Sequence, residues 1–188
     1  MAFDNFFFIK RNDAPVRMRW AQVNRLTGSG VLGYADLRLP NAAGVRGGDF
    51  RMARYEVTNA QYARFLNAVD PEGANALDLY DARMTSALEG GIIRNTSRPA
   101  GHRYYTVRHM ADKPANFIDL PDAARFANWL HSGQADPAYT ESGAYGSVGA
   151  SSVGVRAAAA RVFLPTEGEW HMAAYHAGGG ARFATIRR

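Results

Sequence analysis

Glu167, Glu169 and His171 form the most chemical-looking group in the sequence. On a helix, Glu167 and His171 stand four residues apart on one face, a spacing that suits a metal ion or an acid–base pair. The same acids serve as first-turn residues that cap free N–H groups and complement the helix dipole. This structural reading is the stronger of the two. The other histidines are His102, His109, His131 and His176, and no metal-ligand spacing links them. His102 and His109 flank a strand-like run. His131 and His176 follow helical runs, where a charged imidazolium complements the dipole. Gly28-Ser29-Gly30 and Gly178-Gly179-Gly180 lack the phosphate-loop pattern and the strand-to-helix setting of a dinucleotide site. No Gly-x-Ser-x-Gly elbow accompanies the Ser, His and Asp residues. Tyr104, Tyr105, Phe117, Trp129 and Trp170 read as core. Tyr139 and Tyr145, in a polar stretch, are the better candidates for a ligand-binding surface. No residue is thereby assigned a catalytic, cofactor-binding or metal-ligating role, and no cofactor is expected.

Composition narrows the classes further. The 188 residues are 47% hydrophobic and 21% charged, which excludes wholesale disorder, a collagen-like fibre and a coiled coil. There is no cysteine, so disulfides, thiolate metal sites and thiol nucleophiles are absent from this chain. No run approaches the ~20 apolar residues of a membrane span, so no membrane contact is expected. Met1–Lys10 places its charge after a very short apolar run, unlike a signal peptide; export of a longer parent stays open. The net charge of +5 would suggest an acidic partner such as nucleic acid. Its distribution argues otherwise. Residues 1–48 hold seven basic and three acidic residues, residues 49–178 hold 12 and 14, and residues 179–188 hold three arginines and no acid. The excess positive charge sits at the two ends, and no nucleic-acid partner is expected.

Three segments must position whatever chemistry exists. Thr58 with Gln61 makes a capping box, and Tyr62, Phe65, Leu66 and Val69 recur at helical spacing up to Asp70-Pro71. Asp119 caps a second helix over 119–130, with Pro121 and Asp122 in its first turn and Ala123, Phe126, Ala127 and Leu130 on its buried face. Thr166 with Glu169 caps a third over 166–178, where Trp170, Ala173, Ala174 and Ala177 predict an apolar face. Short strands are predicted at 50–52 leading to 55–57, at 104–107 and at 161–164 before Pro165. The stretches 70–103 and 132–160 have no period and read as long functional or variable loops. The predicted class is α+β, with few helices, short strands and much coil.

Three sequence words in these segments resemble the formylglycine-generating enzyme, or sulfatase-modifying-factor, family. They are Tyr55-Glu56-Val57-Thr58-Asn59-Ala60-Gln61-Tyr62; Lys113-Pro114-Ala115-Asn116 leading into Asp122–Leu130; and Phe163-Leu164-Pro165-Thr166-Glu167-Gly168-Glu169-Trp170 followed by Ala173-Ala174. Their order is specific, and the resemblance covers roughly residues 49–178, leaving 1–48 and 179–188 as unmatched basic ends. It implies a C-type-lectin-like fold. It also implies a longer chain, because the family's Trp-Gly, Gly-Asn-Val-Trp-Glu-Trp and Arg-Gly-Gly-Ser words do not follow Gly178. A truncated bacterial-type domain is therefore expected, with the apolar faces of its second and third helices left exposed. In the family's oxidases a cysteine pair binds copper and converts a substrate cysteine to formylglycine. With no cysteine here, that activity is not expected. The alternative is a non-catalytic C-type-lectin-like module that binds a peptide or glycan.

Overall fold

The computed structural model of the chain describes residues 16, 18–23, 50–134, 137–149 and 151–176. Within them the elements run β1 (Trp20–Val23), β2 (Phe50–Ala53), α1 (Asn59–Val69), β3 (Ile92–Arg94), β4 (Tyr104–Thr106), α2 (Leu120–His131) and α3 (Glu167–His176), with 3-10 turns at Ala82–Thr85 and Pro137–Thr140. β1 pairs antiparallel with β2, and β3 with β4, as separate two-stranded sheets. Three helices and short antiparallel strands among the described residues make the class α+β, as the sequence pattern predicts.

The helix starts follow the capping signals. Thr58 accepts from the Gln61 amide at 3.3 Å while Gln61 returns a side-chain oxygen to the Thr58 N–H at 2.8 Å. Asp119 does the same with Asp122, at 2.8 and 3.5 Å. α2 goes beyond its predicted apolar face: every residue from Pro121 to Leu130 is buried, Arg125 and Asn128 included. It is the central helix, and its apolar face is covered rather than exposed. Phe126 and Trp129 of α2 meet Tyr62 and Phe65 of α1 in a continuous aromatic cluster, the tightest pair being Phe65 edge-on to Phe126 at 5.1 Å.

The strands depart more from expectation. The strand predicted at 50–52 forms but does not continue to 55–57. Tyr55 is exposed, and Val57–Asn59 instead runs against Lys113–Ala115, with Ala115 N–H to Val57 O at 2.8 Å and Asn59 N–H to Lys113 O at 2.9 Å. Two of the family-like words are thus joined backbone to backbone. Among the described residues the strand predicted at 161–164 shrinks to a single bridge residue, Phe163: the Tyr145 hydroxyl occupies both backbone groups of Leu164, accepting from its N–H at 2.8 Å and donating to its carbonyl at 3.2 Å, and Pro165 has no N–H to extend a ladder. β1 and β3 appear where no strand is predicted.

The long loops are tied down by side chains that stand in for strand partners. Asn59 Nδ2 donates to the carbonyls of Gly90 and Met110. Asn67 takes both backbone groups of Tyr104, sealing the outer edge of β4. Asn75 takes both backbone groups of Tyr80. Asn128, fully buried on α2, donates to the carbonyls of Thr140 and Tyr145 at 2.9 and 3.0 Å and accepts from the Tyr145 N–H at 2.8 Å. Gly91 fits this scheme: its φ is +133°, and an added Cβ would lie 2.4 Å from Asn59 Nδ2.

Cutting Asn128 to alanine orphans three buried backbone groups at once. Chemical denaturation of Asn128→Ala is expected to show a loss of ~2–4 kcal/mol, against ~1 kcal/mol for Asn67→Ala at the half-buried sheet edge. Equal losses from the two variants would contradict the role given to Asn128.

Candidate functional site

The group singled out at the start of α3 resolves into a buried ion pair. Thr166 and Glu169 make the predicted capping box, with bonds of 3.2 and 2.8 Å. Glu169 is 4% exposed, and Arg156 grips both its carboxylate oxygens at 2.8 Å. The guanidinium also sits 4.1 Å over the Phe163 ring. Every oxygen of Glu169 is therefore committed to the fold, which removes it from metal or acid–base work. Glu167 is exposed, and the side chains of His171 and His176 lie outside the described residues. Trp170, predicted to lead the apolar face, is 37% exposed, and Ala174 is exposed too. The inward residues are Gly168 and Glu169. Burial of a paired carboxylate in place of the tryptophan is the physical reason the predicted face is turned.

The remaining candidates separate cleanly. Tyr145, predicted as a surface residue, is 7% exposed with its hydroxyl spent on Leu164, and burial pushes its pKa up to about 12. It belongs to the core. Tyr139 is 51% exposed and keeps its place on the surface. Tyr104 and Trp129 are core residues as expected, while Tyr105 and Phe117 are half-buried, each beneath an arginine: Arg98 at 4.3 Å and Arg83 at 4.6 Å. His102 and His109 are exposed. His131 ends α2, but its Nδ1 accepts from the Arg161 N–H at 3.1 Å, and partial burial with the Arg161 charge lowers its pKa. It is a neutral acceptor rather than the charged dipole partner predicted. Both glycine-rich runs, at 28–30 and 178–180, lie outside the described residues.

One titratable group reads in the sequence only as a first-turn acid. Asp122 is 6% exposed, and burial first, then the Asp119 charge, raise its pKa to about 7. Its position as the third residue of a capped helix was legible; its burial against Tyr62 and Arg125 depends on the α1–α2 contact and was not. Among the described residues no group of three or more His, Cys, Asp or Glu side chains could hold a metal ion. No helix among them is long and apolar enough to cross a membrane.

The architecture can be set beside known proteins. The family model described as the sulfatase-modifying factor enzyme 1-like domain matches residues 15–186. The match takes in β1 and β2 as well as all three helices. No significant match was found to a curated protein or to a solved structure.

Two outcomes follow from the buried acids. Glu169→Ala leaves Arg156 charged and unpaired, and is expected to cost ~3–5 kcal/mol in a denaturant titration, whereas exposed Glu167→Ala costs under ~0.5 kcal/mol. The reverse ranking would return Glu167 to candidacy. Asp122 binds its proton more tightly folded than unfolded, so its favourable contribution is complete below pH ~4 and is lost as the pH rises through about 7. Asp122→Asn should therefore be more stable to denaturant than the parent at pH 8, by ~2–4 kcal/mol, with the gap closing towards pH 4. Parallel pH–stability curves for the two proteins would refute this.

Proposed function

The chain belongs to the sulfatase-modifying factor enzyme 1-like family, and we propose that it works there without the cysteine–copper oxidation of the family's formylglycine-generating oxidases. The observation that carries this reading is the absence of cysteine from all 188 residues. A copper–thiolate centre needs sulfur donors and a thiol to cycle through oxidation, and no other side chain replaces a thiolate in both roles. The residues present do not fit that group. The acids that might have offered different chemistry are engaged: Glu169 by Arg156 and its own cap, and Asp122 within the α2 capping box.

A second reading, a non-catalytic module that holds a peptide or glycan, is favoured by the way the 137–156 loop is built. Asn128 holds the backbone of Thr140 and Tyr145, Arg125 bonds Glu141 at 2.7 Å, and Arg156 fastens the far end to α3. Tyr139 and Val155 project from this braced loop at 51% and 87% exposure. A rigidly held loop with exposed aromatic and apolar tips loses little entropy on binding.

Both readings meet one experiment. The protein is incubated aerobically with copper(I) and a cysteine-containing sulfatase-motif peptide, and the peptide is tested by mass spectrometry after hydrazide capture. No aldehyde is expected; its formation would overturn the first reading. Retention of unmodified peptide on the immobilised protein supports the second.

A further inference from the structure

Two strand edges of this fold are closed by side chains. Asn67 takes both backbone groups of Tyr104, and the Tyr80 hydroxyl takes the Ile92 carbonyl. A third edge is left open. It belongs to a ribbon inside the braced 137–156 loop, where Tyr145 faces Arg156 and Val148 faces Val153 in two antiparallel bridges. Three backbone bonds tie the ribbon: Gly154 N–H to Ser147 O at 3.3 Å, Gly149 N–H to Ser152 O at 2.9 Å and Ala157 N–H to Ala144 O at 2.8 Å.

These bonds fix which way the remaining groups point, because a trans peptide sends its N–H and C=O to opposite sides. The Gly154 N–H and the Ser152 carbonyl face the partner strand, so the Val153 carbonyl and N–H face outward. The Ala157 N–H also faces inward, which turns the Arg156 carbonyl out. Tyr145 spends both of its backbone groups on Asn128. Tyr145 and Arg156 are therefore a pair whose groups turn away from each other, and the Arg156 N–H completes the outward set. The inner edge is occupied, Tyr145 by Asn128 and the Val148 carbonyl by Arg125 at 3.4 Å. On the outer edge, none of the four backbone groups of Val153 and Arg156 has a partner among the described residues. Natural edges are blunted by Pro or Lys, and residues 151–157 hold neither. Ser152 and Val155 are exposed, and the one charge along this stretch, Arg156, is spent on Glu169.

We propose that the Val153–Arg156 edge takes up an extended peptide segment as a third strand of the ribbon. The inference rests on the peptide-binding reading of this loop and names its mode, recognition through the backbone. Gly154 and Val155 stand between the two outward-facing residues, where a regular ladder has one residue. The edge is thus a bulge that three residues of the incoming strand span, which fixes their register. A second copy of the chain is the poorer occupant. Four residues a side fall far below the ~20–30 a side of a stable interface.

The test uses a fluorescein-labelled nonapeptide, Lys-Thr-Val-Thr-Val-Thr-Val-Thr-Lys, and the same peptide N-methylated at its five central residues. Each is titrated by fluorescence anisotropy against the full chain. Methylation keeps the side chains and removes the ladder donors, and is expected to weaken binding by at least ~10-fold. In hydrogen exchange followed by NMR, bound peptide should slow the Val153 and Arg156 amides and leave those of Gly154 and Ala157, already bonded, unchanged. Val155→Lys places a charge on the edge and should weaken binding several-fold, with an unchanged thermal melt confirming the fold. Equal binding of the methylated peptide, indifference to Val155→Lys, or protection that misses Val153 and Arg156 would overturn the proposal and leave the peptide-binding reading standing. A concentration-dependent dimer abolished by Val155→Lys would overturn it by assigning the edge to a second copy. Failure of both peptides to bind overturns it too, and retention of the sulfatase-motif peptide then decides the broader reading separately.

Discussion

Backbone hydrogen bonding is the constraint on which this structure turns. The named strands span only four, four, three and three residues, so regular ladders satisfy few of the backbone groups that packing removes from water. An unpaired buried N–H or carbonyl costs about as much as a lost hydrogen bond. Here turns and loops meet much of the debt backbone to backbone, and side-chain amides meet it at the points where loops join the helices. Asn59 on α1 and Asn128 on α2 reach from rigid helices into the coil and fix loops that no ladder could fix, while Asn67 on α1 seals the edge of β4. Remove that device and the segments around β3, β4 and Tyr145 lose both their shape and their partners.

The device also answers the missing cysteines. Loops as long as 132–160 carry a closure cost that grows with length, and small domains often meet it with a disulfide of ~2–4 kcal/mol. Three hydrogen bonds from one buried asparagine, at ~1 kcal/mol each, supply a comparable constraint without a thiol. Arg125 with Glu141 and Arg156 with Glu169 add charge-assisted pins at either end of the same loop. A cysteine-free chain can thus hold a coil-rich α+β fold rigidly.

The sequence revealed what depends on near neighbours. Capping boxes join residues three apart, and those of Thr58 and Thr166 were readable because both partners stand in one short word; at α2 the Asp119 cap was readable and the reciprocal bond from Asp122 was not. What escaped is non-local. Asn67 finds Tyr104 37 residues on, and Asn59 finds Met110 51 residues on, so nothing in the local pattern marks either amide as a structural pin. Periodicity also misjudged α3, because it scores a carboxylate as outward and a tryptophan as inward. Arg156, 13 residues before Glu169, inverts that ranking by pairing the charge. Of the candidate site, the acids of α3 were visible and their engagement was not. Tyr145 was misplaced for the same reason: its hydroxyl is buried on Leu164, 19 residues away.

Charge shows the same dependence on arrangement. A net +5 says only that an acidic partner is electrostatically welcome somewhere. Sorting the charges along the chain moves the excess to the ends and makes residues 49–178 slightly acidic. Folding then sorts them again: Arg83, Arg103, Arg125 and Arg156 take up carboxylates, and Arg94 takes a carbonyl. The positive charge left available is set by which cations the fold has not consumed, and on the hairpin these are Arg98 and Arg108. Had Arg94 and Arg103 also been free, the hairpin would carry the dense, undirected charge that suits a polyanion. Because they are tied to the 70–75 loop, two of the hairpin's arginines are left without a carboxylate partner among the described residues.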